Sequence, residues 1–272
     1  VSRVYNVEKY LKSLDLSNIL REPVIKTIVH TLQLPPGSKG LDAGCGTGFY
    51  TLMLAEAAGK SSHITGLDIE ETFLTIGLSL AAKADLKKRV SFIKGDIRTL
   101  PFDDSSFDWA FSMDLIGHLE TDPVLLIKKL ARVVKPRGSI FLLNWSSQML
   151  LPGHPVLEAR LNATTSGIAP FNAKTKPELH IMRALEWLQQ AGLSEANAQT
   201  FVRDVIPPLS KETRKAILDL FEMRWGEGNV ELSEDEQLEY HRLCKAESPD
   251  LIINLPKYYG FFTYSMFRGR VL

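Results

Sequence analysis

Residues Leu41 to Tyr50, Leu-Asp-Ala-Gly-Cys-Gly-Thr-Gly-Phe-Tyr, constrain the fold more tightly than any other stretch of the chain. A short apolar run ends in an acid, three glycines alternate with other residues, and a helical pattern follows. Glycine turns the backbone sharply and lets it approach a ligand with no Cβ in the way. Amides at the start of the following helix then face a polar ligand group. The dinucleotide fingerprint G-x-G-x-x-G needs a small residue three places after Gly46, where this chain has Phe49. The third glycine is instead Gly48, which gives D-x-G-x-G-x-G.

The pattern around this segment alternates strands with helices. Apolar runs at His63 to Leu67, Val90 to Ile93, Phe107 to Ser112 and Ile140 to Asn144 predict four more strands. Helical spacing over Phe49 to Ala58, Thr72 to Leu86 and Pro123 to Val134 predicts the connections. Five strands alternating with helices imply an α/β fold, a doubly wound parallel sheet covered on both faces. Right-handed crossovers bring the glycine loop, Asp68, Asp96 and Ser112 to one sheet edge.

Elsewhere the pattern is less regular. Val4 to Leu34 reads as two helices broken near Asn18 to Pro23, with Pro35-Pro36-Gly37 as a loop. Ser146 to Lys176 reads as a long excursion, and Pro177 to Gln190 as an amphipathic helix stopped by Gly192. A sixth strand is expected over Asn197 to Ile206. An acidic helical stretch follows from Leu209 to Ala246 with the capping box Ser233-x-x-Glu236, and a last strand over Tyr258 to Val271.

Composition narrows the function classes. Thirty-two basic residues balance thirty-two acidic ones in 272, which argues against a nucleic-acid partner. Cys45 and Cys244, far apart, neither staple a domain nor supply a zinc site. No run reads as a signal peptide or is long enough to span a membrane, so a reducing cytoplasmic location is expected. The first residue is Val1, and initiator or upstream residues are expected to be missing.

The D-x-G-x-G-x-G segment resembles motif I of the class I S-adenosylmethionine-dependent methyltransferases. The resemblance extends from about Pro36 to Trp145. His63-Ile64-Thr65-Gly66-Leu67-Asp68 resembles the family's second strand, whose terminal acid grips the ribose hydroxyls, and a carboxylate suits a vicinal diol. Lys94-Gly95-Asp96-Ile97 resembles the third-strand motif, whose acid accepts from the adenine amino group. Leu100-Pro101-Phe102, Phe107 to Ser112, and Leu130 to Leu142 continue the pattern, with Arg137 departing from the usual "L-K-P-G-G" exit. The group most resembled is the methyltransferase type 11, or ubiquinone/menaquinone-biosynthesis-like, group. Its long-insertion-free pattern differs from this chain before the last strand.

The resemblance implies a mostly parallel seven-stranded, Rossmann-like sheet. Residues 1–34 would form an N-terminal helical cap, 35–145 the cofactor-binding core and 146–176 an active-site excursion. Residues 177–208 would continue the core, 209–256 form a helical insertion or lid, and 257–272 supply the last strand. It implies S-adenosylmethionine as cofactor and S-adenosylhomocysteine as product. The cofactor-binding residues implied are Asp42, Ala43, Gly44, Cys45, Gly46, Gly48, Asp68, Ile69, Gly95, Asp96, Ile97 and Ser112.

Methyl transfer asks mainly for alignment and exclusion of water, with a general base where the acceptor carries a proton. His118 is a candidate base or an architectural residue, and Asp114 a helix cap or an acceptor contact. No metal is expected, since the paired Asp-Asn after strand five is absent. Tyr5, Tyr10 and Tyr50 are candidates to stack near the sulfonium or to pack in core and cap. Arg21 reads as a surface residue or a partner for the methionine carboxylate. A lid containing Trp145, Phe171, Trp187, Phe221 and Trp225 would suit a small organic acceptor. The competing readings are a protein or RNA methyltransferase docking its substrate through the helical insertion, and a non-catalytic cofactor-binding protein. Oligomeric state is not readable from the sequence.

Overall fold

The computed structural model describes residues 7–119, 121–171 and 175–272, without the side chains of residues 7–10, 12 and 229. Tyr5 and the side chain of Tyr10 therefore lie outside the described residues. Seven strands form one sheet: β1 Lys39–Ala43, β2 His63–Asp68, β3 Val90–Lys94, β4 Phe107–Met113, β5 Val134–Met149, β6 Ser194–Val205 and β7 Gly260–Arg270. Their order across the sheet is β3-β2-β1-β4-β5-β7-β6. The first five pair in parallel, with Asp42 opposite Gly66 and Phe111, and Ser112 opposite Leu142. β7 runs antiparallel to β5: Val271 and Gly138 bond at one end, Thr263 and Ser147 at the other.

The connecting helices are α1 Val7–Thr31, α2 Phe49–Ala57, α3 Glu71–Lys83, α4 Pro123–Val133, α5 Pro155–Asn162, α6 Ala184–Gln190, α7 Lys211–Phe221 and α8 Glu234–Cys244. α4 illustrates how sequence builds such an element. The Asp122 carboxylate accepts from the Val124 amide, and Pro123 occupies a first-turn position where no donor is needed. Leu126, Ile127, Leu130 and Val133 then recur at helical spacing and are fully buried.

Two compact units divide the chain. One, the sheet unit, comprises Lys26–Ser146, Lys176–Phe201 and Tyr264–Leu272. Its core joins strand residues such as Leu41, Ala110 and Ile140 to Leu130 of α4 and Leu188 of α6. The other, the helical unit, comprises Val1–Ile25, Ser147–Thr175 and Val202–Thr263. There the Phe221 and Trp225 rings stack at 5.3 Å, and the Trp225 indole donates to Asn162 at 3.0 Å. The Tyr258 hydroxyl donates to the Leu150 carbonyl, and α8 begins with the expected Ser233–Glu236 capping box.

Several elements differ from the sequence reading. α1 is one helix rather than two, with Pro23 inside it. A helix-interior proline costs about 3 kcal/mol, but each fully buried aliphatic side chain contributes about 1.5–3 kcal/mol. Leu16, Leu20, Val24 and Ile28 are all buried, so packing carries the helix through the proline. The stretch from Pro177 to Gln190 is α-helical only from Ala184, because His180 adopts extended backbone between two short 3-10 turns. Pro136-Arg137-Gly138 does not end a helix in a loop. It lies within β5 as an irregularity, where pairing shifts from Phe107↔Val134 to Trp109↔Ser139. The excursion after Ser146 contains α5, which its prolines and glycines concealed.

Candidate active site

The carboxyl ends of β1, β2 and β3 carry the residues that the sequence singled out. After β1 the chain turns through Gly44, Gly46 and Gly48, all left-handed, at φ 81°, 52° and 74°. Gly44 and Gly48 need glycine for space as well as conformation, whereas Gly46 has open space beside it. A Cβ on Gly44 would stand 2.4 Å from Leu115 Cδ2, whereas one on Gly46 would meet nothing within 4 Å. The Gly44 and Cys45 amides donate to the Leu67 carbonyl at 2.8 and 3.0 Å, which binds the loop to β2. The Gly46 amide donates to Asp68 Oδ2 at 2.9 Å, and the Glu70 amide to Asp68 Oδ1 at 3.0 Å. The loop amides thus bind the second strand end rather than pointing freely toward a ligand.

A cavity of about 190 Å³ opens beside this loop. It is lined by Gly44 and Gly95, five aliphatic side chains, the carboxylates of Asp68 and Asp96, and Arg98. The aliphatics are Leu67, Ile69, Ile97, Leu115 and Leu119. Ile69 is 64% exposed beside Asp68, an apolar surface left open at a polar edge. Asp96 is gripped by Arg98, whose Nε lies 2.8 Å from Oδ2 and whose amide lies 2.8 Å from Oδ1. This guanidinium holds the Asp96 carboxyl below the usual carboxylate range.

The structure therefore gathers Gly44, Asp68, Ile69, Gly95, Asp96 and Ile97 around one cavity. It sets the other expected residues in the loop and the strands behind it. Asp42 is 2% exposed, and its Oδ2 accepts from the Thr51 hydroxyl at 2.6 Å. Burial, with a smaller contribution from the Asp68 charge, raises its pKa to about 7. Asp42 is thus a buried brace between β1 and α2. Ser112 donates to the Ala43 carbonyl at 2.9 Å and ties β4 to β1. The Cys45 thiol is buried, and its pKa is pushed up by desolvation and then by Asp42 and Asp68, which disfavours the thiolate.

Asp114 directly follows β4. Its Oδ1 accepts from the Trp145 amide at 2.8 Å and its Oδ2 from the Tyr264 hydroxyl at 3.1 Å. His118 ends the 3-10 turn Ile116–His118 and is exposed, outside the cavity lining formed by its neighbours Leu115 and Leu119. Tyr50 and Arg21 are half-buried, and Tyr50 meets Phe49 edge-on at 5.3 Å. Of the aromatics assigned to a lid, Trp187, Phe221 and Trp225 are at most 3% exposed and fill the interiors of their own units. Trp145 and Phe171 are half-buried. Arg98, Leu115, Leu119 and Tyr264 escaped the sequence reading. Only the i, i+4 pair Leu115 and Leu119, next to the fourth strand, offered a local signal.

Among the described residues, no group of three His, Cys, Asp or Glu side chains is arranged to hold a metal ion. No described helix is long and apolar enough to cross a membrane.

A family model described as a methyltransferase domain matches residues 34–195, more than half of the chain. The chain belongs to that methyltransferase family. A Staphylococcus epidermidis protein named demethylmenaquinone methyltransferase is 33% identical over 178 residues, covering 64% of this chain and 68% of that one. A Staphylococcus aureus protein of the same name is 29% identical over 195 residues, covering 70% and 73%. The methyltransferase is thus a class I S-adenosylmethionine-dependent enzyme of the ubiquinone/menaquinone-biosynthesis type. Its fold is shared with the YcgJ protein from Bacillus subtilis, at TM-score 0.57 and 16% identity over 92% of this chain and 98% of that one. It is also shared with an S-adenosylmethionine-dependent methyltransferase from Aquifex aeolicus, at TM-score 0.54 and 15% identity over 96% and 97%.

Proposed function

We propose that the cavity between Gly44, Asp68, Ile69, Asp96 and Ile97 holds the adenosyl part of S-adenosylmethionine, and that the methyl acceptor is a small organic molecule. The observation that carries the cofactor assignment is the pairing of two carboxylates with exposed aliphatic surface in one cavity. A purine nucleoside has that complementary character, with apolar ring faces between hydroxyl and amino donors. The cavity is smaller than the roughly 300–1,000 Å³ of a whole small-molecule site, as suits a partial, base-end pocket. Asp68 would accept from the ribose hydroxyls and Asp96 from the adenine amino group, while Ile69 and Ile97 would flank the ring. The neighbouring loop, unobstructed at Gly46, would lie along the remainder of the cofactor.

The sulfonium supplies an activated methyl group and its leaving group, so direct in-line displacement asks the protein for alignment and exclusion of water. His118 is assigned the base role for any acceptor atom that bears a proton. Asp114 is assigned a structural role instead, holding the Trp145 amide and the Tyr264 hydroxyl.

The acceptor assignment is supported by the relatives, whose names specify demethylmenaquinone, an apolar small molecule. The helical unit is assigned to acceptor selection, since its residues 202–263 lie beyond the matched family region. The buried free thiols Cys45 and Cys244 suit a reducing cytoplasmic setting.

Calorimetry with S-adenosylmethionine, S-adenosylhomocysteine and NAD tests the cofactor assignment: the first two bind and NAD does not. Preferential NAD binding would overturn it. Transfer of labelled methyl from the cofactor into metabolite extracts then tests the acceptor class. Label appearing in protein or RNA, and not in small molecules, would reverse that part of the reading.

A further inference from the structure

The residue just after β4 has a backbone conformation that ordinary side chains avoid. Asp114 lies at φ 48°, in the left-handed region, where aspartate is among the better-tolerated non-glycine residues. Three bonds hold it there. Its amide donates to the Leu143 carbonyl at 2.8 Å, and its carboxylate accepts from Trp145 and Tyr264, as described above. The Trp145 and Tyr264 rings meet edge to face at 5.7 Å, and Tyr264 is fully buried. One carboxylate therefore joins strands β4, β5 and β7, spanning 150 positions in sequence.

The turn so fixed leads directly into the cavity wall. Leu115 follows at once and packs against the Gly44 backbone so closely that no Cβ fits between them. Leu115 and Leu119 then line the cavity. We propose that Tyr264 is a positioning residue for cofactor binding: through Asp114 it sets the left-handed turn that seats Leu115 and Leu119 against the glycine loop. The proposal rests on the reading of this cavity as the cofactor site. It assigns a role in that site to the last strand, which contributes nothing to the cavity lining itself.

The test measures S-adenosylhomocysteine affinity by calorimetry and amide hydrogen exchange over residues 115–119, on the full chain. In Tyr264→Phe the ring stays and the hydroxyl bond to the carboxylate is lost. Such a charge-assisted bond, partly transmitted to the wall, should weaken S-adenosylhomocysteine by roughly fivefold to tenfold. Exchange over residues 115–119 should quicken at the same time. Asp114→Ala should weaken binding more than Asp114→Asn. The amide of asparagine retains an acceptor for Trp145 and a donor for the tyrosine oxygen.

Thr200→Val controls for general damage to β7, since it removes the adjacent 2.8 Å bond between Thr200 and Ser265. It should leave both the affinity and the exchange of 115–119 unchanged. Unaltered affinity and exchange in Tyr264→Phe would overturn the proposal, as would equal weakening in Thr200→Val. A wild-type protein that fails to bind S-adenosylhomocysteine would refute the cofactor reading instead. In that case, faster exchange confined to Tyr264→Phe and the Asp114 variants would still identify the clamp, and unchanged exchange would refute it.

Discussion

The glycine loop of the sheet unit and the π turn of the helical unit are both unusual backbone segments, and different forces hold them. In the loop, amides of residues 44–46 are fastened to the Leu67 carbonyl and the Asp68 carboxylate within 3.0 Å. In the π turn, Glu222–Gly226, Trp225 stacks on Phe221, is fully buried, and anchors its indole on Asn162. The first is specified by residue types at fixed local spacing, because positive φ favours glycine and strand ends supply the acceptors. The second is specified by shape, and its anchor comes from 63 positions away. Local chemical signatures therefore mark the glycine loop of the sheet unit, while the turn of the helical unit is held by packing.

The largest expected effect separates these two modes. Trp225→Ala should cost about 3–5 kcal/mol in denaturant unfolding, as for other large-to-small aromatic truncations in cores. It should leave S-adenosylhomocysteine affinity of the folded protein near the wild-type value. A strong affinity loss with the fold intact would break the division between packing and cofactor chemistry.

Asp68→Ala is the converse case. It should weaken S-adenosylhomocysteine by about 1–3 kcal/mol, through loss of acceptors in the cavity and of the Gly46 anchor. Unchanged binding in calorimetry would remove Asp68 from the site.

A subtler effect concerns the brace behind the loop. Asp42 has a folded-state pKa near 7, raised chiefly by burial, against about 4 for an exposed aspartate. Between these values the folded protein holds more protons than the unfolded chain, so the group's contribution to stability declines as pH rises from about 4 to about 7. Above that window the penalty of a buried charge is fully present. Asp42→Asn keeps an acceptor for Thr51 and removes the charge. Its melting temperature relative to wild type should therefore increase steadily across that window and level off above it. A difference independent of pH would show that Asp42 is not titrating as a buried acid.

Much of the sheet and part of the site were legible in the sequence. The alternation of apolar runs with helical spacing gave the first five strands and the helices between them, and the order of acids at strand ends brought Asp68 and Asp96 together. Pro23 misled because proline's local cost is visible in a sequence while the burial of Leu20, Val24 and Ile28 is not. The Pro177 to Gln190 stretch misled because helical spacing also describes successive short turns, and His180 interrupts them. Arg98 and Tyr264 were missed because an arginine or tyrosine on a strand or loop has many ordinary uses, and only its partner reveals its function.

The apolar and helical patterns between Leu41 and Asn144 were enough to indicate the doubly wound sheet, and the motifs between Leu41 and Asp96 carried the family resemblance that implied the cofactor, because strand, helix and turn signals act over a few residues. The tertiary structure decided which of those residues face the cavity. It turned Asp42 inward as a brace and Asp114 sideways into the sheet, where Tyr264 meets it from the last strand. Such roles depend on which strands lie side by side, and that is fixed by the packing of the whole chain rather than by any local run of sequence.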